Sequence, residues 1–387
     1  MSTKAPEKAA PLGGPLWNGF TVSLALLVAV MLVITVLRFA RGIGAVTNLN
    51  DGYPWGLWIV YDDVVGSALG AGGFTVAFLA YILNRGEFHP IVRPALLAAF
   101  FGYVQASFSV LLDIGRPWAG WHMFWPSYVQ TNSVMAQVAL CIGAYLTLLA
   151  LSLAPVLMER FGWTGLRRKL NRALFIIIAL GVVVPTMHQA SLGSLLVVLG
   201  QQVNPLYQTD LLPLLFLTSS IGMGLAAVVF EGTVSSLAFK RPLERELLGK
   251  LTFIGAIVTA VFLVMRFGDL AVRGALPLAF QPTLLAGWFW LENAVFIASI
   301  ALVATPSSRL RAQRLFLSAS FMAVGGILYR LGAYLMAYET GAGWKYFPSM
   351  GELGVTIGLV AFEILAITIA LRRLPILPQV SAEESHT

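Results

Sequence analysis

The chain has 387 residues, is 58% hydrophobic and only 11% charged, and carries a net charge of +7 with a mean hydropathy of +0.81. A composition this apolar cannot be hidden in a soluble core, so it defines an integral membrane protein. The basic residues lie in short connections between apolar runs, which excludes an extended nucleic-acid-binding domain, and the lone Cys141 excludes a disulfide or a cysteine-ligated metal centre made by this chain alone.

The apolar runs predict an all-α polytopic fold of about ten transmembrane helices, at roughly 16–37, 55–83, 94–113, 132–156, 173–199, 211–239, 250–271, 283–304, 314–338 and 350–371. Tails 1–15 and 372–387 flank them. The first run lacks a small-x-small cleavage site after it and is expected to stay as a helix. Eighteen of the 25 Lys and Arg fall in the N-terminal tail, the C-terminal tail and the connections after helices 2, 4, 6 and 8. The positive-inside rule therefore places both termini in the cytoplasm.

In chain order, helix 2 carries Asp62 and Asp63 about 10–12 Å below its outer end, counted at 1.5 Å per residue. Below them Gly66, Ser67, Gly70, Gly72 and Gly73 give a face on which helices can approach closely. The outer segment after helix 3 holds Trp118, Trp121, His122, Phe124 and Trp125, an interfacial belt or a surface for a partner. Helix 5 is interrupted near its middle by Pro185, Thr186, His188, Gln189, Ser191 and Ser194. An imidazole at that depth is costly against lipid, so His188 should face a polar interior. Glu231, Glu292, Arg330 and Glu363 continue a sparse series of buried ionisable groups through helices 6, 8, 9 and 10. Two pairs, Asp113 with Arg116 and Arg266 with Asp269, are spaced i, i+3 and are expected to meet on one helix face. They close helices 3 and 7, four helices apart, which suggests that helices 2–5 and 6–9 are two related four-helix bundles with flanking helices.

Four histidines are present, His89, His122, His188 and His386, of which His188 alone falls within an apolar run. A haem gripped by two membrane histidines is therefore not expected, while His188 with a methionine stays open. There is no phosphate-cradling loop, nucleophile elbow or metal-ligand cluster. Redox chemistry here would belong to a bound small molecule. Trp55, Tyr61 and Tyr103 could line a pocket for an apolar ring or simply pack.

Gly52-Tyr53-Pro54-Trp55-Gly56-Leu57-Trp58, the stretch Asn84 to Pro94, Asp113 to Arg116, Pro185 to Ser194, Phe230-Glu231-Gly232, Arg266 to Leu270 and Leu374 to Pro378 occur together and in order. This set resembles the Hyb-type membrane subunit of periplasmic uptake NiFe hydrogenases, within the wider NrfD and polysulfide-reductase membrane-anchor family. The resemblance covers nearly the whole chain. It implies a subunit of the bacterial inner membrane that reacts with menaquinone or ubiquinone, without haem and without an iron–sulfur cluster of its own. It also implies a ferredoxin-like iron–sulfur partner on the periplasmic face, which contacts the hydrogenase small and large subunits. Electrons would pass from that partner to a quinone in the outer half of helices 2–5. His188, Asp62, Asp63, Asp113 and Arg116 are then the candidate catalytic or relay groups, and Trp55, Tyr61 and Tyr103 candidate lining. Glu231, Glu292, Arg330 and Glu363 are a candidate proton path from the cytoplasm. The alternatives are a subunit of another NrfD-type oxidoreductase acting on polysulfide, nitrite or similar, a secondary transporter, or a plain anchor.

Overall fold

The computed structural model describes residues 9–341 and 343–378, and His386 lies outside them. Ten helices among the described residues are long and apolar enough to cross a membrane. They are α1 (Gly19–Arg41), α2 (Trp58–Ile82), α3 (Gly86–Asp113), α4 (Val134–Phe161), α5 (Thr164–Gln202), α6 (Leu212–Ala238), α7 (Arg245–Val272), α8 (Leu284–Leu302), α9 (Ala312–Met336) and α10 (Met350–Arg373). This is the expected all-α polytopic architecture. Helix ends move where local chemistry overrides hydropathy. Asn18 caps α1 in a capping box with Thr21, so the helix starts past the first apolar residues. The α5 helix begins nine residues early because Arg167, Arg168, Lys169 and Arg172 remain helical beyond the apolar run. Between α4 and α5, Gly162 adopts φ +73°, a left-handed cap that turns the chain sharply.

The helices pack as two rings. In the first, α2 touches α3, α3 touches α4, α4 touches α5 and α5 returns to α2; in the second, α6, α7, α8 and α9 close in the same way. The rings meet where α2 and α5 lie on α6, and α1 pairs with α10 at the edge of the first. Gly72 and Gly224 set that seam. A Cβ on either would run into the backbone of the other, so two unsubstituted positions let α2 and α6 touch main chain to main chain. On the opposite face of α2, a Cβ on Gly73 would come within 2.5 Å of the Ala99 side chain of α3.

Two further devices tie the outer end together. Arg38 of α1 is buried and donates to the carbonyls of Leu112 and Ile114, each at 2.6 Å, which caps the C-terminus of α3. Glu352, at the start of α10, accepts from the backbone of Asn48 and Ser349, each at 2.9 Å, and from the Tyr346 hydroxyl. Tyr346 lies outside the spans, and its burial followed by its hydrogen bond to Glu352 pushes the phenol above its ordinary pKa, so it stays a donor. With the Asn48 and Asn50 amides donating to Phe347 and Lys345 carbonyls, segments 46–57 and 344–352 form one outer lid. At the other end, Ala9–Ala10 pairs antiparallel with Leu377–Pro378 and draws the two ends of the described chain together.

Candidate functional site

The inner face of α2 departs from ordinary helix geometry where its carboxylates lie. Residues Trp58–Val65 form a π-helical segment containing Asp62 and Asp63, and Phe78–Ile82 and Gly332–Met336 form two more. A π turn widens the helix and shifts its side chains relative to the neighbours, a feature concentrated at functional sites. The two adjacent carboxylates consequently serve different helices. Asp63 turns to α5, where its Oδ1 lies 3.6 Å from His188 Nε2. Asp62 turns to α10, where its Oδ2 accepts from Thr356 Oγ1 at 3.0 Å.

His188, Asp62 and Asp63 are almost wholly withdrawn from the surface, as expected. At 3.6 Å the imidazole and the Asp63 carboxylate face each other but are too far apart for a hydrogen bond. Neither ring nitrogen of His188 has a hydrogen-bond partner, nor do Asp62 Oδ1, Asp63 Oδ1, the Tyr103 and Tyr145 hydroxyls and Gln105 Oε1. Each such atom costs on the order of 1–3 kcal/mol in a buried setting. The second ring holds such atoms too, at Arg266 Nη1, Glu292 Oε2, Asn293 Oδ1 and the Tyr329 hydroxyl, but there beside an ion pair at 2.5 Å.

Aromatic rings border the cluster. Tyr103, fully buried on α3, has its ring 5.8 Å from His188 and 4.5 Å from Tyr145 of α4. A narrow and mostly apolar crevice within this ring of helices is lined by Phe74, Leu96, Tyr145, Leu149, Ile178 and Gly181. Tyr145 is thus shared between the crevice wall and the stack against Tyr103.

Sequence reasoning missed the polar strut beside the cluster. Gln189 donates through Nε2 to Ser67 of α2 at 2.9 Å and accepts at Oε1 from Arg330 of α9 at 3.0 Å. Gln189 belongs to the polar interruption of α5, but helical geometry alone could not say that it bridges both rings of helices.

Other candidates lie apart. Trp55 donates to the Tyr334 carbonyl at 3.0 Å and packs on Tyr334 and Tyr338, so it belongs to the outer lid. Tyr61, half-buried, lies close enough to Asp62 and Glu363 for their charges to act on it. Glu363 lies on α10 seven residues from Thr356, on the same face two turns away, and its Oε1 would be 3.6 Å from a Cβ on Gly102. Asp62 of α2 and Glu363 of α10 thus both lie where α10 meets the first ring, and Glu231 stands on α6.

Both expected i, i+3 pairs are corrected. The α3 helix ends at Asp113, and Ile114 is extended at ψ 121°, so Arg116 has left the helix axis and stands exposed while Arg38 serves that helix end. In α7, Arg266 turns into the second ring, where its Nη2 lies 2.5 Å from Glu292, and Asp269 instead accepts from Arg273 and Thr209, each at 2.8 Å. Arg266 is further enclosed by the rings of Tyr207, Phe262, Phe289 and Tyr329, and Tyr207 donates to Glu292 at 2.9 Å. Glu292 is therefore committed to a cation in the second ring.

Comparisons with known proteins agree with this architecture. The family model for polysulphide reductase, NrfD, matches residues 45–338. The chain is 38% identical over 379 residues to a probable Ni/Fe-hydrogenase 2 b-type cytochrome subunit of Escherichia coli, with 97% of each chain covered. It is 31% identical over 358 residues to a protein of Nitratidesulfovibrio vulgaris, covering 89% of this chain and 91% of that one. It is 28% identical over 382 residues to the integral membrane subunit of a menaquinone reductase from the same organism, covering 88% and 87%.

The first relative corrects an expectation. Its name is that of a b-type cytochrome, which denotes haem, so the expectation that the chain works without haem is withdrawn. The residues present fit such a group only in part. His188 offers one interior imidazole with both nitrogens unbonded, whereas His89 packs on Tyr81 at the first turn of α3 and His122 stacks on Tyr128 in the outer connection. A haem with two axial histidines needs a second one at depth, and the described residues do not present it. The family model covers α2 to α9, three quarters of the chain, and that settles its place: it belongs to the polysulphide reductase, NrfD, family.

Proposed function

We propose that the chain is the quinone-reactive membrane subunit of a hydrogenase-type oxidoreductase complex in a bacterial inner membrane, with both termini in the cytoplasm. The observation that carries this reading is the buried cluster of Asp63, His188 and Tyr103, whose polar atoms lack partners inside an otherwise apolar ring of helices. A quinone presents the complementary shape, an apolar ring and tail with two carbonyl oxygens that accept hydrogen bonds. Its reduction consumes two electrons and two protons and releases nothing. Tyr103 supplies a hydroxyl donor, and His188 supplies a group whose ordinary pKa near 6.5 lets it give and regain protons. Asp63, with its Oδ1 3.6 Å from Nε2, faces the imidazole and orients it.

Electrons enter, in this reading, from an iron–sulfur partner of ferredoxin type seated on the periplasmic face, itself in contact with hydrogenase small and large subunits. The names of two relatives support that assignment, one a Ni/Fe-hydrogenase subunit and the other a menaquinone reductase subunit. Protons are resupplied from the cytoplasmic side through Glu231, Glu363 and Asp62. The distribution of Lys and Arg supports the orientation.

The test uses the purified complex. Replacing His188 with Ala or Asp63 with Asn should cut hydrogen-dependent quinone reduction roughly 100-fold or more, the range of a lost acid–base group, while reduction of a soluble dye by the partner subunits is retained. Normal quinone turnover in both variants would place the site elsewhere.

A further inference from the structure

Arg330 lies at the seam of the two rings and has none of its surface exposed. Its Nη2 donates to Gln189 Oε1 at 3.0 Å, to the Phe216 carbonyl at 3.1 Å and to Ser219 Oγ at 3.4 Å, and its Nε points at Met223 Sδ at 3.4 Å. The Phe216 ring lies 4.7 Å from the guanidinium carbon. Every one of these partners is neutral, and among the described residues no carboxylate is in ion-pair contact with it. Its Nη1 has no acceptor at all. Arg266, equally buried, has Glu292 at 2.5 Å. A guanidinium kept in a membrane interior without an anion is the costlier arrangement, and neutral helix struts do not require a permanent charge.

Its place narrows what the charge is for. The glutamine it holds is the neighbour of His188 and is bonded to Ser67, one turn from Asp63. We propose that Arg330 is the anion-holding residue of the site: its Nη1 takes an oxygen of a bound quinone whenever that oxygen is negatively charged. The inference rests on the quinone reading above and adds to it the charge state that the protein selects. Reduction draws two electrons from the electron-carrying partner and two protons from the protein. Whenever an electron precedes its proton, an oxygen carries charge; a fixed cation offsets it until His188 delivers the proton.

The experiment compares two ligands of nearly equal shape on the purified complex, 2-hydroxy-1,4-naphthoquinone, an anion at neutral pH, and the neutral 2-methoxy-1,4-naphthoquinone. The wild type should bind the anion more tightly. Arg330→Gln should weaken the anion roughly 10- to 100-fold, the worth of one charged hydrogen bond, and move the neutral ligand by less than about twofold. Arg330→Lys, which keeps the charge but not the fork, should fall between the two. Equal weakening of both ligands in Arg330→Gln, or no weakening of either, overturns the proposal. Should that variant fail to assemble, Arg330→Lys decides, since an undiminished preference for the anion there overturns it. A wild type that binds the neutral ligand with no preference for the anion removes this inference alone, whereas a wild type that binds neither removes the quinone reading with it.

Discussion

The two rings of helices treat buried charge in opposite ways. In the second, Arg266 and Glu292 touch at 2.5 Å, four aromatic rings surround the guanidinium, and Tyr207 donates to the same carboxylate oxygen, while Glu292 Oε2 has no hydrogen-bond partner. In the first, Asp63 and His188 stand 3.6 Å apart, and both imidazole nitrogens are without a partner. Both interiors pay for ionisable groups in a membrane, but only one settles the charge within itself. A pair locked at contact distance is structure, and a looser one leaves its polar atoms open to other partners. Asp62 and Asp63 sit on a π-helical segment, where a regular turn would have placed the carboxylates differently, and a further π segment, Gly332–Met336, lies against Tyr207 and Glu292 of the second ring.

The sharpest way to break this contrast is to unpair the second ring. Glu292→Gln should destabilise the protein by roughly 3–5 kcal/mol, the cost of a buried guanidinium left without its partner. It would appear as a lower thermal midpoint and a poor yield of assembled complex. The double variant Arg266→Met with Glu292→Met should recover most of that loss, because two apolar side chains of similar volume need no desolvation offset. If Glu292→Gln instead folds normally and fails in quinone turnover, the second ring is part of the reaction and the contrast falls.

The first ring should answer in the reverse sense. His188→Ala loses roughly 100-fold or more in quinone reduction, yet should cost little in thermal stability, because it removes groups that have no partners to lose. A small rise in the thermal midpoint would fit the trade of stability for function seen at active sites. A large fall would mean that the imidazole is a packing residue.

The seam between the rings tests whether their separate characters depend on fixed spacing. Gly72→Ala puts a methyl into the Gly224 backbone, and overpacking of this kind costs about 1–3 kcal/mol. Thermal stability should fall in Gly72→Ala and stay near wild type in Gly268→Ala, where nothing lies within 4 Å of the added Cβ and a helical interior favours alanine. Equal responses at the two positions would mean that the seam is loose.

Much of this was legible in the residues. The ten spans follow from the length and spacing of apolar runs, which report directly on a slab of hydrocarbon about 30 Å thick. His188, Asp62 and Asp63 declared themselves because an ionisable group in such a run demands a reason. What could not be read is which charge meets which. Arg266 and Asp269 share a helix face by spacing, but each finds a different partner, Glu292 on α8 and Arg273 one turn on. Arg116 looked paired until α3 stopped at Asp113. Glu292 and Glu363 look alike in the chain, yet one lies in the second ring and the other on α10, beside the first. Pairing between helices depends on rotation about each axis, and hydropathy fixes depth without fixing rotation. The π segments are similarly silent, since they arise from packing against neighbours and leave no mark in composition.

The smallest expected effect concerns supply to the unpaired ring. Asp62, Glu363 and Glu231 stand on α2, α10 and α6. If they pass protons inward to His188, Glu231→Gln should lower proton uptake from the inner compartment of proteoliposomes severalfold and leave quinone reduction running, because a side route through water remains when one relay is lost. Glu363→Gln, in the middle of the series, should have the larger effect of the two. Glu292→Gln, measured per folded complex, should leave proton uptake alone, since its carboxylate belongs to Arg266. Unchanged proton movement in both Glu231→Gln and Glu363→Gln would leave the first ring unpaired but supplied from its outer face, and the series of carboxylates would then be no more than three acids on separate helices.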